Sequence, residues 1–197
     1  MKDTFVYQLE DSLYINLTNR CSNSCVFCVR NNHDGMADYN LWLDREPEAD
    51  EVIKLIGDPR QYREIVFCGF GEPTERLDAL LQTAAYVKQN GGRVRVNTNG
   101  HASLIAGYDV TPRLEGLVDI LSISLNASNA QEYQRQCNCR YGEQGFDAML
   151  DFAVKAKRYV PQVIFSIVDV LSPQEQEACK KLCADLDVPL RIRSMIK

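Results

Sequence analysis

Three cysteines stand close together near the start of the chain, Cys21, Cys25 and Cys28, in a C-x3-C-x2-C spacing. Thiolates so placed can wrap one soft metal centre, and zinc or an iron–sulfur cluster are the candidates. A structural zinc site takes four ligands, usually in two spaced pairs, and His33 is the one further donor at close spacing. On a four-iron cluster, three cysteines leave one iron without a protein ligand, open to a substrate or cofactor. The plain alternative is three unrelated buried thiols.

A second candidate is Gly69-Phe70-Gly71-Glu72-Pro73-Thr74. Its glycines allow close backbone approach to a ligand, and Glu72 brings one carboxylate; an ordinary turn with a helix cap uses the same residues. Two further segments, Asn97-Thr98-Asn99-Gly100 and Ser122-Ile123-Ser124-Leu125-Asn126, carry polar groups where buried parallel strands are expected to be apolar. Such groups pair with a ligand or with one another, because leaving them unsatisfied is costly.

The elements that must hold these residues follow from the hydrophobic pattern. Strand-length runs cover Ser12–Thr18, Glu64–Cys68, Arg93–Asn97, Ile120–Asn126, Val163–Val170 and Leu190–Met195. Helical patterns cover Glu48–Ile56, Arg76–Gln89, Ala130–Cys137 with Phe146–Tyr159, and Pro173–Leu186. Ser172, Pro173 and Glu175 predict a capping box for the last, and Asn90-Gly91-Gly92 stops the second. Alternation at roughly 30-residue spacing predicts an α/β fold of parallel strands joined by crossover helices. Six strands make an open sheet or an incomplete (β/α)6 partial barrel, since a full eight-stranded barrel takes about 250 residues. Every motif above then falls at a strand's C-terminal end, where such folds do their chemistry.

Composition narrows the classes. With 197 residues and 45% hydrophobic content, the chain suits one domain, expected over residues 1–197. A charged fraction of 25% excludes global disorder, and a net charge of -5 argues against a broad nucleic-acid surface. No apolar run reaches the roughly 18 to 20 residues of a membrane span. Asp3, Glu10 and Asp11 interrupt what a signal peptide would keep apolar, so a cytoplasmic location is expected. There, eight cysteines point to metal or redox use rather than disulfides.

Taken together, YINLTNRCSNSCVFC, YNLWL, EIVFCGFGEPT, NTNG, SISLNA and AMLDF resemble the radical S-adenosylmethionine (radical SAM) enzymes. Within them the chain is most similar to the small group associated with TatD-type nucleases. The resemblance implies that Cys21, Cys25 and Cys28 hold a [4Fe-4S] cluster whose open iron chelates the amino and carboxylate groups of S-adenosylmethionine (SAM). It further implies Phe27 against the adenine, and Gly71-Glu72 at the SAM amino group. Ser124 and Asn126 match positions that contact the SAM ribose or carboxylate, with Asn97 or Asn99 assisting. Some glycyl-radical activases carry acidic residues where Asn97 and Ser124 stand, so their cation site does not carry over; Phe70 replaces a glycine of many relatives and is read as packing.

Implied partners are an external one-electron reductant of flavodoxin or ferredoxin type and a substrate that supplies a hydrogen atom. With little chain after Met195 to cover the lumen, closure is expected from a macromolecular substrate, a partner or a second subunit. Rival readings are a compact small-molecule enzyme resembling 7-carboxy-7-deazaguanine synthase, and a non-catalytic electron-transfer or sensor protein. Cys68, Cys179 and Cys183 are read as core; Cys137 and Cys139 suit either an auxiliary cluster or a redox or substrate-contacting thiol pair. Arg191 and Arg193 share one side of the last strand, either facing the lumen to hold an anion or facing solvent.

Overall fold

The computed structural model describes residues 3–195. Its main sheet has seven strands in one continuous order. β1 (Val6–Leu9) turns at Glu10 (φ 53°) and pairs antiparallel with β2 (Ser12–Ile15). From β2 onward every neighbour is parallel: β5 (Ile65–Phe67), β6 (Val94–Thr98), β7 (Ile120–Ser124), β8 (Gln162–Val168) and β9 (Leu190–Arg193). A two-stranded ribbon, β3 (Gly35–Met36) and β4 (Tyr39–Asn40), lies in the long connection after β2. The crossovers hold α1 (Ala49–Ile56), α2 (Leu77–Gln89), α3 (Ala102–Ala106), α4 (Ala130–Cys137), α5 (Gln144–Ala156) and α6 (Pro173–Asp185). This is the α/β architecture of mostly parallel strands that the sequence pattern implies, in the form of a partial barrel. No helix among the described residues is long and apolar enough to cross a membrane.

Strand period divides the sheet into two faces. Leu13, Ile15, Ile65, Phe67, Val94, Val96, Leu121, Ile123, Val163, Phe165 and Ile167 occupy matched register positions and pack with the helices in one core. Each such side chain contributes about 1.5–3 kcal/mol on full burial, and together they fix the register. The other face presents Tyr14, Val66, Arg95, Asn97, Ser122, Ser124, Ser166, Arg191 and Arg193. Its β1–β2 end is covered by a small apolar cluster of Tyr7, Leu41 and Phe70, with Leu9, Tyr14, Val29 and Met36 against it. Phe70 packs edge-on to Trp42 at 5.0 Å, consistent with its reading as a packing residue.

The structure departs from the sequence expectations in several places. β1 and the β3–β4 ribbon were not expected; short antiparallel pieces next to polar turns carry little periodicity. β7 ends at Ser124 rather than Asn126, because Asn126 adopts a left-handed backbone (φ 56°) that no ladder accommodates. Arg76 belongs to a 3-10 turn, Pro73–Arg76, and α2 begins at Leu77. Ser172 caps α6 as expected, accepting from the Glu175 N–H at 3.2 Å. Glu175 does not complete the box; its carboxylate accepts from the Ser128 N–H at 2.6 Å and ties α6 to the loop after β7.

Candidate active site

The cysteines lie on the loop leaving β2, against the turns that follow β5 and β6 and the C-terminal end of α4. Three sets of contacts hold this loop. At its entry, Thr18 Oγ1 donates to Glu46 Oε1 at 2.5 Å and accepts from the Arg20 N–H at 2.9 Å. Arg20 and Arg76 both bond Glu46, at 2.7 and 2.8 Å, and with Thr18 they hold its carboxyl down to about 2 despite partial desolvation. The Glu72 N–H donates to the Arg20 carbonyl at 2.8 Å. A Cβ at Gly71 would collide with the Thr18 and Arg20 carbonyls, so only glycine lets the two loops touch.

In the middle, Asn99 Nδ2 donates to Ser22 Oγ at 2.7 Å and Asn23 Nδ2 to the Tyr133 hydroxyl at 2.9 Å. Ser22 Oγ also lies 2.9 Å from Nδ1 of the buried His101, whose Nε2 lies 3.0 Å from the Gly145 carbonyl. A carbonyl only accepts, so Nε2 carries the proton and Nδ1 accepts from Ser22. Burial holds the imidazole down to about 4, which keeps it neutral.

At the exit, the Ser24 and Val26 N–H groups donate to the Cys137 and Gln136 carbonyls, both at 2.9 Å. These are terminal acceptors of α4, which a helix cannot satisfy itself. Asn138, left-handed at φ 42°, ends the helix, and the Arg140 N–H returns to the Ser22 carbonyl at 2.9 Å.

Cys21, Cys25 and Cys28 are each half-buried and carry no disulfide. The Cys21 thiol is pushed up to about 12 by burial and by the Glu72 charge, against the Asn23 N–H that opposes it at 3.4 Å. Cys25 is raised by its contact with the Cys137 thiol and by burial, and Cys28 by burial. Among the described residues no three His, Cys, Asp or Glu side chains converge as one metal ion would require. Asn23 Oδ1, on the cysteine loop, is a buried oxygen without a partner and adds capacity for a polar ligand, and Asn126 Oδ1 after β7 is another. Three soft donors free of disulfides on one loop, with the unpartnered Asn23 oxygen between two of them, fit an iron–sulfur cluster with a polar cofactor.

Glu72 is buried, and its Oε1 accepts from the Thr74 N–H at 3.0 Å, Thr74 Oγ1 at 2.7 Å and Thr98 Oγ1 at 2.8 Å. Oε2 accepts from the Asn99 N–H at 2.7 Å and has room for one further donor. Desolvation raises its pKa while those donors oppose the rise. Glu72 thus serves as cap and as clamp on the turn after β6. Asn97 and Ser124 lie on the inner face in adjoining strands, and Phe27 packs with Cys25 on the margin of the main core. Cys68 directly follows β5, in step with Val66 of the inner face, whereas Cys179 and Cys183 are buried in the helix-side core. Cys137 and Cys139 are buried under the loop, Cys139 with its thiol 4.0 Å from His101 Nδ1.

Ser22, Asn23, Thr98, His101 and Tyr133 were not singled out from the sequence as site residues. The signal for Ser22 and Asn23 was their place between two cysteines. Nothing local marks His101 or Tyr133, whose partners lie 79 and 110 positions away.

A partly closed parallel sheet carries a cysteine loop, a Gly-Glu-Pro turn and a Thr-Asn-Gly turn at adjacent strand ends. The radical SAM superfamily matches residues 15–186, and the chain belongs to it. Members of this family generally bind a [4Fe-4S] cluster and SAM. No curated protein matches the sequence. Among solved structures, the chain is similar to anSMEcpe with AdoMet and Cp18Cys peptide bound (TM-score 0.69, 16% identity, 94% of this chain and 51% of that one). It is also similar to Streptococcus suis SuiB bound to precursor peptide SuiA (0.66, 12%, 97% and 40%). A radical SAM methyltransferase from Sphaerobacter thermophilus is a third (0.63, 18%, 96% and 68%). The chain spans 40% of SuiB and about half of anSMEcpe.

Proposed function

We propose that the chain holds a [4Fe-4S] cluster through Cys21, Cys25 and Cys28, binds SAM at the open iron, and cleaves SAM reductively to take a hydrogen atom from a substrate. The observation that carries this is three unbonded thiols on one loop, clamped from the β5 and β6 strand ends by Glu72, Asn99 and Gly71. When bound, cluster and SAM supply a 5′-deoxyadenosyl radical, the hydrogen-abstracting agent. The protein's part is ligation, orientation and exclusion of water. Glu72 Oε2 accepts from the SAM amino group beside the Asn99 N–H, a charge-assisted bond. Asn126 Oδ1, Ser124 and Asn97 offer polar contacts from the inner face, and Phe27 offers a ring face for the adenine. His101 stays neutral and keeps Ser22, between two ligands, in place.

The motifs also favour a place near the TatD-associated group. A flavodoxin- or ferredoxin-type protein is the electron source in this reading, and a macromolecular substrate or second subunit covers the open face. The test is anaerobic reconstitution with iron and sulfide, addition of SAM and dithionite, and measurement of 5′-deoxyadenosine. Product from the natural protein but not from the Cys21/Cys25/Cys28→Ala variant supports the proposal. A reducible cluster that leaves SAM intact with and without flavodoxin favours an electron-transfer role. Zinc in place of a cluster overturns the proposal.

A further inference from the structure

The inner face holds a group of cations that the cluster and SAM contacts leave unused. Parallel register aligns Ser124 with Ser166 and Ser166 with Arg191, and Val168 with Arg193, so both arginines face inward with Asn97 and Cys68. Arg95 joins them from β6. The Arg193 and Arg95 charges both act on the Cys68 thiol, opposing the rise that burial gives it.

Acidic partners on this face are few. Glu64 bonds Arg95 at 2.9 Å and also meets Arg63 at 3.5 Å, so it is shared between two cations. Glu72, at the rim, has three donors on one oxygen and one on the other. Arg191 and Arg193 reach solvent at the edge strand, and among the described residues neither has an ion-pair partner. The Arg95 Nε–H is buried with no acceptor, although the side chain is only 13% exposed. An unspent buried donor on the same sheet face as two solvent-reaching, unpaired guanidiniums, in a chain of net charge -5, marks a face able to take negative charge.

We infer that Arg191 and Arg193, with Arg95 behind them, form a subsite for an anionic group of the substrate, a carboxylate or a phosphate. Guanidinium forks bind both groups in bidentate fashion, and the Ser124 hydroxyl in the Arg191 row can add a donor. The inference rests on the proposed reading of the strand-end site and adds to it a class of substrate: one whose anion is held toward β9 while its reacting carbon faces the loop after β2.

The test uses reconstituted protein, with inorganic phosphate and, separately, SAM as titrants in calorimetry. The natural protein is expected to bind phosphate. Arg191→Gln/Arg193→Gln should weaken phosphate at least tenfold and leave SAM affinity within twofold, and Arg193→Lys should retain part of the phosphate binding. An unchanged circular dichroism spectrum and melting temperature guard against misfolding, and Arg193→Gln alone serves if the double variant fails that control. No phosphate binding by the natural protein, or equal binding by the variant, overturns the subsite. Joint loss of SAM and phosphate also overturns it, by assigning the arginines to the SAM carboxylate. Arginine-dependent phosphate binding in a protein that takes up neither cluster nor SAM would uphold the subsite and sink the radical SAM reading instead.

Discussion

Asn99 Nδ2 donates to Ser22 Oγ at 2.7 Å, joining the turn after β6 to the middle of the cysteine loop. The same residue's backbone N–H reaches Glu72. One asparagine therefore links three strand ends, and the loop's position depends on it. Asn99→Ala removes the side-chain bond and leaves Ser22 and the His101 N–H short of a partner. A loss of about 1–3 kcal/mol is expected in urea unfolding of the cluster-free protein, with less iron retained per chain. Unchanged stability and unchanged iron would show the link to be idle.

Glu72→Ala orphans the Thr74 and Asn99 N–H groups and the Thr98 hydroxyl together. The expected cost is about 2–4 kcal/mol, the sum of a lost cap and buried donors left unpaired. SAM affinity should fall further than stability explains. Titration of SAM into reconstituted protein checks this, with Thr98→Val as a comparator that removes one donor and leaves the carboxylate. Equal SAM affinity in Glu72→Ala would reduce Glu72 to a structural clamp.

His101 gives the fold a defined acid sensitivity. Its folded pKa of about 4 lies below the unfolded value of 6.5. The folded state therefore binds fewer protons than the unfolded one, so stability is complete above 6.5 and declines as pH falls toward 4. The loss amounts to about 3 kcal/mol by the linkage relation. Unfolding free energies at pH 7 and pH 5 should differ less in His101→Gln than in the natural protein. Parallel pH dependence in the two would disprove the assignment.

Gly71→Ala is expected to push the Thr18–Arg20 segment away from the Gly-Glu-Pro turn, since the new methyl meets two backbone carbonyls. Overpacking of this kind costs about 1–3 kcal/mol. Iron uptake should fall with it, as read by absorbance and iron analysis.

The Cys25 thiol touches Cys137, so the two can be told apart only by substitution. Cys25→Ala should abolish cluster assembly, whereas Cys137→Ala should retain the iron content and electron paramagnetic resonance signal of the natural protein. Loss of half the iron in Cys137→Ala would instead reveal a second cluster.

The parallel sheet was legible because a strand buried on both faces, such as Ile65–Phe67, writes a continuous apolar run, while Ile120–Ser124 keeps its apolar side at Leu121 and Ile123. The cysteine triplet and Glu72 were legible because short spacing is a local property. Strand β1 was not: Val6–Leu9 alternates weakly, and its pairing is set by the turn at Glu10. His101 and Tyr133 were invisible for a different reason. Their roles come from contacts across the fold, made by α4 and the turn after β6, and neither leaves a periodic trace. The orientation of Arg191 and Arg193 needed the register of β8 against β9, which period two alone leaves open.

β1 has one more consequence. It pairs antiparallel to β2, in the position that a last parallel strand would need to complete a ring, and the Tyr7 hydroxyl bonds the Cys68 carbonyl at 3.0 Å to pin it there. The sheet therefore cannot seal upon itself by a simple sideways shift of β9. Bringing β1 and β9 together would take a further strand, or the release of β1 from β2, so the two edges of the sheet keep their ladder groups unshared with one another.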